Sequence, residues 1–294
     1  MLDIYRGRLA PSPTGYMHLG HARTFWVAHQ RARLSAGNVI FRNEDLDQQR
    51  SKQEFVQAML EDLRWLGLDW DEGPDVGGMF GPYEQSRRRS FYLEAWRKLR
   101  DRGAIYPCTC SRKDLERALS APHEESDEAP YPGTCRGRLS EAGKRESPAG
   151  VSWRFLVPDH KTIFFNDLYS GRQHFTAGRD FSDFLIWRRD DVPAYQLAVV
   201  VDDEAMRITE VVRGEDLLLS TARQLLLLEA LGYTPPKYFH CPLLRDRHGR
   251  RLAKRHDALS LRELRTRGET PAALCKNFAA EVDWQKGLSR RGKA

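Results

Sequence analysis

Apolar side chains fall along this chain in an alternation of short buried runs and amphipathic segments. "GRLAPS" at 7–12 reads as a first strand and "NVIFR" at 38–42 as a second, ending in the acidic cluster "NEDLD" at 43–47. Between them, His18 to about Ala36 reads as a helix. Ser51 followed three residues later by Glu54 has the spacing of a capping box. Phe55, Met59, Leu60, Leu63 and Leu66 then share one helical face. Another helix is expected over about Glu84–Arg102, with Phe91, Tyr92, Ala95, Trp96 and Leu99 inward. Strand, helix, strand, helix in succession predicts a parallel α/β sheet.

The pattern changes near Tyr106. "SAPHEESDEAPYPG" is too poor in apolar side chains to pack a core. "VSWRFLV" and "KTIFFNDLYSG" then read as strands of an inserted subdomain. "AYQLAVVVDD" at 194–203, nearly continuous in apolar residues, reads as a buried strand ending in acid. "EVVRGEDLLLSTARQLLLLEALG" reads as a strand running into a helix that Gly232 stops. Residues 242–294 offer a basic loop and one or two helices. The expected division is 1–105 and 191–255 as two halves of a nucleotide-binding unit, 106–190 as the insertion and 256–294 as a short helical end. In open α/β sheets ligands sit beyond the carboxyl ends of the strands, where Arg8 to Ser12, Glu44, Tyr195 and Arg213 gather.

Composition narrows the class only a little. The 294 residues are 40% hydrophobic and 30% charged, enough for an ordinary core. No run of about 18 apolar residues exists to span a membrane, and "MLDIYRGRLA" has no apolar leader core, so a cytoplasmic protein is expected. With no apolar seam in view, a monomer is expected. The net charge of +6 permits a polyanionic partner without requiring one. The basic runs "QSRRRS" at 85–90 and "RDRHGRRLAKRH" at 245–256 are the candidate RNA surfaces.

The sharpest local pattern is "RLAPSPTGYMHLGH" at 8–21. Pro11 and Pro13 forbid helix and favour extended backbone, and a helix start follows directly. Such starts attract anions, because free N–H groups and the macrodipole point at the ligand. One histidine near a helix start is usually a cap. His18 and His21, three apart, share one face and can donate together to phosphate oxygens, while Gly20 lets a neighbour approach closely. This stretch resembles the signature of class I aminoacyl-tRNA synthetases, in which an H-x-G-H element binds ATP. The preceding R-x-A-P-S-P-T-G resembles the glutamyl and glutaminyl branch.

That resemblance implies a Rossmann-type parallel-sheet catalytic domain, ATP with Mg²⁺, and a role for several further positions. "RLAKR" at 251–255 resembles the family's K-M-S-K-S loop, with Arg251 for the first lysine and Ala253 for the serine. Lys254 falls on the second lysine, where a cation neutralises charge spreading onto the phosphates. In "FRNEDLD" the first carboxylate, Glu44, is placed against the amino group of the bound amino acid. Arg8, Leu9, Ala10, Pro11, Ser12, Tyr195 and Arg213 match the amino-acid pocket; His18, Gly20, His21 and Lys254 match the ATP site. The set is physically coherent. Glutamate carries two carboxylates and one ammonium; Arg8 and Arg213 can each grip a carboxylate in a bidentate fork, and Glu44 can take the ammonium.

The five cysteines are an odd number, and a cytosolic chain does not pair them as structural disulfides. Cys108 and Cys110, with Cys135 25 residues further on, have the spacing of a zinc knuckle that lacks a fourth ligand. General chemistry favours His123, since imidazole is the commoner zinc ligand. The resemblance, to short glutamyl synthetase-like proteins with C-x-C and Y-x-x-x-C, implies Tyr131. Cys241 and Cys275 read as small buried apolar residues.

Only 39 residues follow Arg255, too few for an anticodon-binding domain of ordinary size. The resemblance therefore points to the short paralogues of glutamyl-tRNA synthetase, which activate L-glutamate with ATP and transfer it to queuosine in the anticodon of tRNA(Asp). The alternatives are a truncated synthetase charging a tRNA acceptor end and a non-catalytic RNA-binding relative, which Arg251 and Ala253 keep in view. A nucleotidylyltransferase of the same fold would not need the glutamate-shaped set.

Overall fold

The computed structural model describes residues 4–111, 131–244 and 260–288. β1 (Arg6–Leu9) and β2 (Asn38–Phe41) pair in parallel, with Arg8 opposite Ile40 and α1 (Leu19–Leu34) as the crossover. The amphipathic pattern of "SKQEFVQAMLEDLRW" gives α2 (Gln53–Trp65), and α3 (Arg89–Asp101) follows a 3₁₀ turn at Gln85–Arg87. β8 (Glu210–Gly214) and β9 (Lys237–Cys241) form a second parallel pair. Their crossover is α6 (Leu218–Leu231), stopped by Gly232, whose φ of 75° is the left-handed conformation a helix end favours. The Thr209 amide donates to Arg6 O at 2.9 Å, so the two parallel pairs adjoin. Ligand-facing loops from both pairs therefore emerge at one edge.

The rest of the chain builds outward from this unit. The hairpin β5 (Thr162–Asp167)/β6 (Gly171–Thr176) joins β9 through Asp167 opposite Tyr238. A separate antiparallel sheet has the order β3 (Ile105–Cys108), β4 (Ser152–Phe155), β7 (Leu185–Trp187), with the single turn α4 (Leu139–Ala142) beside β3. Trp96 of α3 and Trp153 of β4, both fully buried, pack edge to face at 4.9 Å, which fastens this sheet to the unit built on the two parallel pairs. α7 (Leu261–Thr266) and α8 (Pro271–Glu281) bury Leu261, Leu264, Leu274 and Phe278 against the face of α1. No helix among the described residues is long and apolar enough to cross a membrane.

Two expectations from the sequence are corrected. Residues 195–205 are not a strand but a helix, α5 (Tyr195–Ala205). Leu197 to Val201 are all buried because α5 is enclosed on all sides, and an enclosed helix has the same continuous apolar run as an enclosed strand. The capping box at Ser51 and Glu54 does not form. The Ser51 amide is held by Asp47 O and the Lys52 amide by Pro13 O, so the chain enters the helix one residue later and Lys52 becomes the N-cap. A complete capping box is made instead by Ser260 and Glu263 at the start of α7.

Candidate functional site

A cavity of about 590 Å³ opens where β1, β2 and β8 end and α1 begins. Its wall gathers residues far apart in sequence: Arg8, Ala10, Pro11 and Ser12 from the β1 exit, His18, Gly20 and His21 from the start of α1, and Glu44 after β2. Tyr195 from the start of α5 and Arg213 from β8 complete it. Arginine outnumbers carboxylate on this wall, Arg8, Arg23, Arg50 and Arg213 against Glu44 and Asp216. An anionic ligand is therefore favoured. Leu9 stands apart: its side chain is fully buried in the core and its carbonyl takes the Arg42 amide, because alternate residues of a strand face opposite ways. Lys254, Arg251, Ala253 and His123 lie outside the described residues.

The helix start is built as its sequence requires. His18 is the N-cap of α1, its Nδ1 accepting the Gly20 amide at 3.1 Å. That acceptance leaves the proton on Nε2 as a donor. A Cβ on Gly20 would lie 3.1 Å from the His18 ring, so any side chain there would press on the cap. The His18 and His21 rings stack with centroids 3.7 Å apart. Two imidazoles thus stand together at the positive end of a helix with no acidic residue in its first turn.

The arginines are held from behind. Arg8, 5% exposed, donates from Nη1 to Val212 O at 2.8 Å, and its Nε lies 3.6 Å from Asp203 Oδ1 without a hydrogen-bond partner. Burial lowers its proton affinity, Asp203 restores part of it, and the like charges of Arg42 and Arg213 lower it again. Arg213, 4% exposed, donates from Nε to His240 Nε2 at 3.1 Å, from Nη2 to Thr221 Oγ1 at 2.7 Å and from Nη1 to Tyr195 Oη at 3.3 Å. Glu44 accepts from Arg42 Nη2 at 3.0 Å. Burial pushes its carboxyl above the usual range, opposed by the pull of Arg42 and Arg8. A cation arriving beside Glu44 would relieve that penalty.

Several of these supports were not legible in the sequence. Arg42, Asp203, Thr221, His240 and Asp167 hold the lining residues without belonging to a motif. The one available signal was Asp202-Asp203 closing an apolar run: a buried acid needs a buried partner, and here Asp202 takes Arg88 while Asp203 takes Arg42. That same pairing removes Arg88 from the basic run at 85–90. Arg87 and Arg89 of the run pair with Glu84 and Asp191. The basic run at 245–256 lies outside the described residues.

A second cluster lies at the end of β3. The sulfurs of Cys108, Cys110 and Cys135 all lie within 4.8 Å of one another, with Cys110 and Cys135 at 3.5 Å. The Tyr131 phenolic oxygen is 3.6 Å from Cys108 Sγ and 3.7 Å from Cys110 Sγ, and accepts the Cys135 amide at 2.8 Å. A tetrahedron with Zn–S bonds of about 2.3 Å has ligand–ligand edges of about 3.8 Å, so this donor set has the size and softness for zinc. Burial raises the Cys135 thiol, but the Thr109 amide, Tyr131 and the other two cysteines bring it down to about 6. Of the remaining cysteines, Cys241 is buried in the core and Cys275 is half-buried.

Comparison with known proteins agrees with this geometry. The family model "tRNA synthetases class I (E and Q), catalytic domain" matches residues 5–287. The glutamyl-Q tRNA(Asp) synthetase of Nitratidesulfovibrio vulgaris is 50% identical over 281 residues, covering 94% of this chain and 86% of that protein. A glutamate–tRNA ligase 2 of Nitrosococcus oceani is 45% identical over 274 residues, covering 92% of this chain but 58% of that one. The crystal structure of the glutamate-tRNA synthetase from Elizabethkingia anophelis superposes with a TM-score of 0.76 at 30% identity over 86% of this chain, which spans about half, 53%, of that larger protein. With the family match running over residues 5–287, the chain belongs to the class I (E and Q) tRNA synthetases.

Proposed function

We propose that this protein activates L-glutamate with ATP as glutamyl-adenylate and transfers the glutamyl group to queuosine in the anticodon of tRNA(Asp). The observation that carries the activation step is the cavity itself: two buried guanidinium groups and one carboxylate share it with the histidine-lined start of α1. The queuosine step rests on similarity to the N. vulgaris protein, of which this chain covers 86%.

Arg8 and Arg213 hold the two carboxylates of glutamate, and Glu44 holds its ammonium. An oxygen of the glutamate α-carboxylate attacks the α-phosphorus of ATP, and the bond to pyrophosphate breaks. The Nε2–H of His18, together with His21, Lys254 and the Mg²⁺ that accompanies ATP, shares the charge on the phosphates. A hydroxyl of the queuosine cyclopentenediol then attacks the mixed anhydride; AMP leaves and its phosphate accepts the hydroxyl proton. Glutamine is excluded because its neutral amide would leave a buried arginine poorly paired.

Cys108, Cys110, Cys135 and Tyr131 hold one structural zinc. When bound, the metal fixes the loop around Tyr131 and Cys135 to β3 and supplies no chemistry at the reacting atoms. His123 is the less economical ligand, since the Tyr131 oxygen already stands among the sulfurs. The antiparallel sheet β3–β4–β7 belongs to the insertion 106–190 between the halves 1–105 and 191–255, and α7 and α8 lie in the C-terminal region 256–294. The protein works as a cytoplasmic monomer.

The test is transfer of labelled glutamate to purified tRNAs. Label is expected on queuosine-containing tRNA(Asp) and to be absent from the same tRNA lacking queuosine. Label on the acceptor end of tRNA(Glu) instead would assign the protein to the charging reaction named for the N. oceani ligase.

A further inference from the structure

Arg213 is fixed in place by a chain of buried groups that no motif in the sequence marks. Its Nε–H donates to His240 Nε2 at 3.1 Å. A guanidinium cannot accept a hydrogen bond, so Nε2 must be the unprotonated nitrogen of a neutral imidazole. The ring proton then sits on Nδ1, which lies 2.7 Å from Asp167 Oδ2. The Asp167 carboxylate also accepts the amides of Tyr169, Ser170 and His240 at 3.0, 2.8 and 3.1 Å. Asp167 and His240 are 1% and 0% exposed. Thr221 Oγ1 accepts from Arg213 Nη2 at 2.7 Å and passes its own proton to Leu217 O at 3.3 Å. The Thr221 hydroxyl also lies 3.1 Å from His240 Nε2, a second acceptor within its reach.

A guanidinium offers five N–H donors. In Arg213 three are engaged, by His240, Thr221 and Tyr195. The two that remain belong one to Nη1 and one to Nη2, and both can donate to a carboxylate. The Nε contact to His240 holds the plane of the guanidinium together with those to Thr221 and Tyr195.

We propose that His240, with its tautomer fixed by Asp167, is a positioning residue for Arg213 and thereby sets the affinity for the amino-acid carboxylate. The inference rests on the reading of Arg213 as a carboxylate-holding residue. His240 does not line the cavity. Its loss leaves the guanidinium charged but held only through Nη1 and Nη2, which weakens the ground-state and transition-state complexes alike and raises KM rather than lowering kcat.

Two substitutions separate positioning from a merely structural role. In His240→Asn the shorter side chain keeps an N–H for Asp167 but presents no acceptor to Arg213. In His240→Gln the amide oxygen reaches the place of Nε2 and restores that acceptor. In pyrophosphate exchange, His240→Asn is expected to raise KM for glutamate about 10- to 100-fold, the range for losing a hydrogen bond to a charged group. KM for ATP and kcat should stay near the parent values, and His240→Gln should recover most of the loss. Imidazole nitrogen NMR should find the His240 proton on Nδ1. Unchanged KM for glutamate in His240→Asn, equal damage to kcat and both KM values in the two variants, or a proton on Nε2 would each overturn the proposal. Arg213→Ala is measured beside them: if it leaves KM for glutamate unchanged, the reading of Arg213 fails, and not merely the role given to His240.

Discussion

Arg42 Nη1 meets Asp203 Oδ1 at 2.6 Å, and the same carboxylate oxygen lies 3.6 Å from Nε of Arg8. One buried acid, from the end of α5, therefore stabilises two buried cations at the ends of β1 and β2. Burial disfavours the charge on Arg42, but Asp203, Glu44 and Asp202 together hold it ionised, above its usual value. Removing one partner of such a group leaves buried charge uncompensated, at a cost of about 3–5 kcal/mol. Asp203→Asn preserves shape and removes the charge. It is expected to lower unfolding stability by about 3 kcal/mol, and to raise KM for glutamate because Arg8 loses its rear support. Denaturant unfolding and pyrophosphate exchange measure the two effects.

The cysteine cluster makes a compositional prediction. Metal analysis of the purified protein is expected to find about one zinc per chain, lost in Cys110→Ser and in Cys135→Ser. Tyr131→Phe keeps three sulfurs and should bind zinc more weakly, giving it up to a chelator faster than the parent does. Chelation should lower the unfolding temperature, since metal that binds only the folded chain stabilises it.

The wall of the cavity is legible in the sequence because the charges of Arg8, Glu44 and Arg213 complement those of one ligand and because the signature loop is long. Leu9 matches the loop with its neighbours, although strand alternation turns it into the core. The helix at 195–205 has the sequence of a strand because enclosure erases periodicity. Asp203 and Arg42 are 161 residues apart and meet only through the fold, as do Asp167, Arg213 and His240. For the metal cluster, spacing supplies three sulfurs and leaves two candidate fourth ligands; the fold brings the Tyr131 oxygen among the sulfurs, while His123 lies outside the described residues.

Asp62 of α2 predicts a pH dependence of stability. Burial raises its carboxyl from 3.8 to about 6, and the pull of Arg262 on α7 does not cancel that effect. Between those values the folded chain binds more protons than the unfolded one, so stability falls as pH rises through the window. Asp62→Asn lacks this loss. It is expected to be more stable than the parent by about 3 kcal/mol above pH 6, because a tenfold change in proton affinity corresponds to about 1.4 kcal/mol. The two should converge as pH falls toward 4. Urea unfolding across that range measures the difference; parallel curves would count against it.

Lys254 carries the sequence-based assignment to the phosphates. Lys254→Ala is expected to reduce adenylate formation by about 100-fold or more, the size of losing one preorganised transition-state charge, while glutamate binding measured by calorimetry survives. Near-normal exchange in this variant would remove Lys254 from the chemistry.

The central claim is that this cavity joins glutamate to ATP. Pyrophosphate exchange dependent on L-glutamate, run without any tRNA, tests it most directly. Robust exchange with glutamate, little with glutamine, and a large rise in KM for glutamate in Arg8→Lys and Arg213→Lys are predicted. Absence of glutamate-dependent exchange in the zinc-loaded parent protein, or exchange that both substitutions leave unchanged, would contradict it.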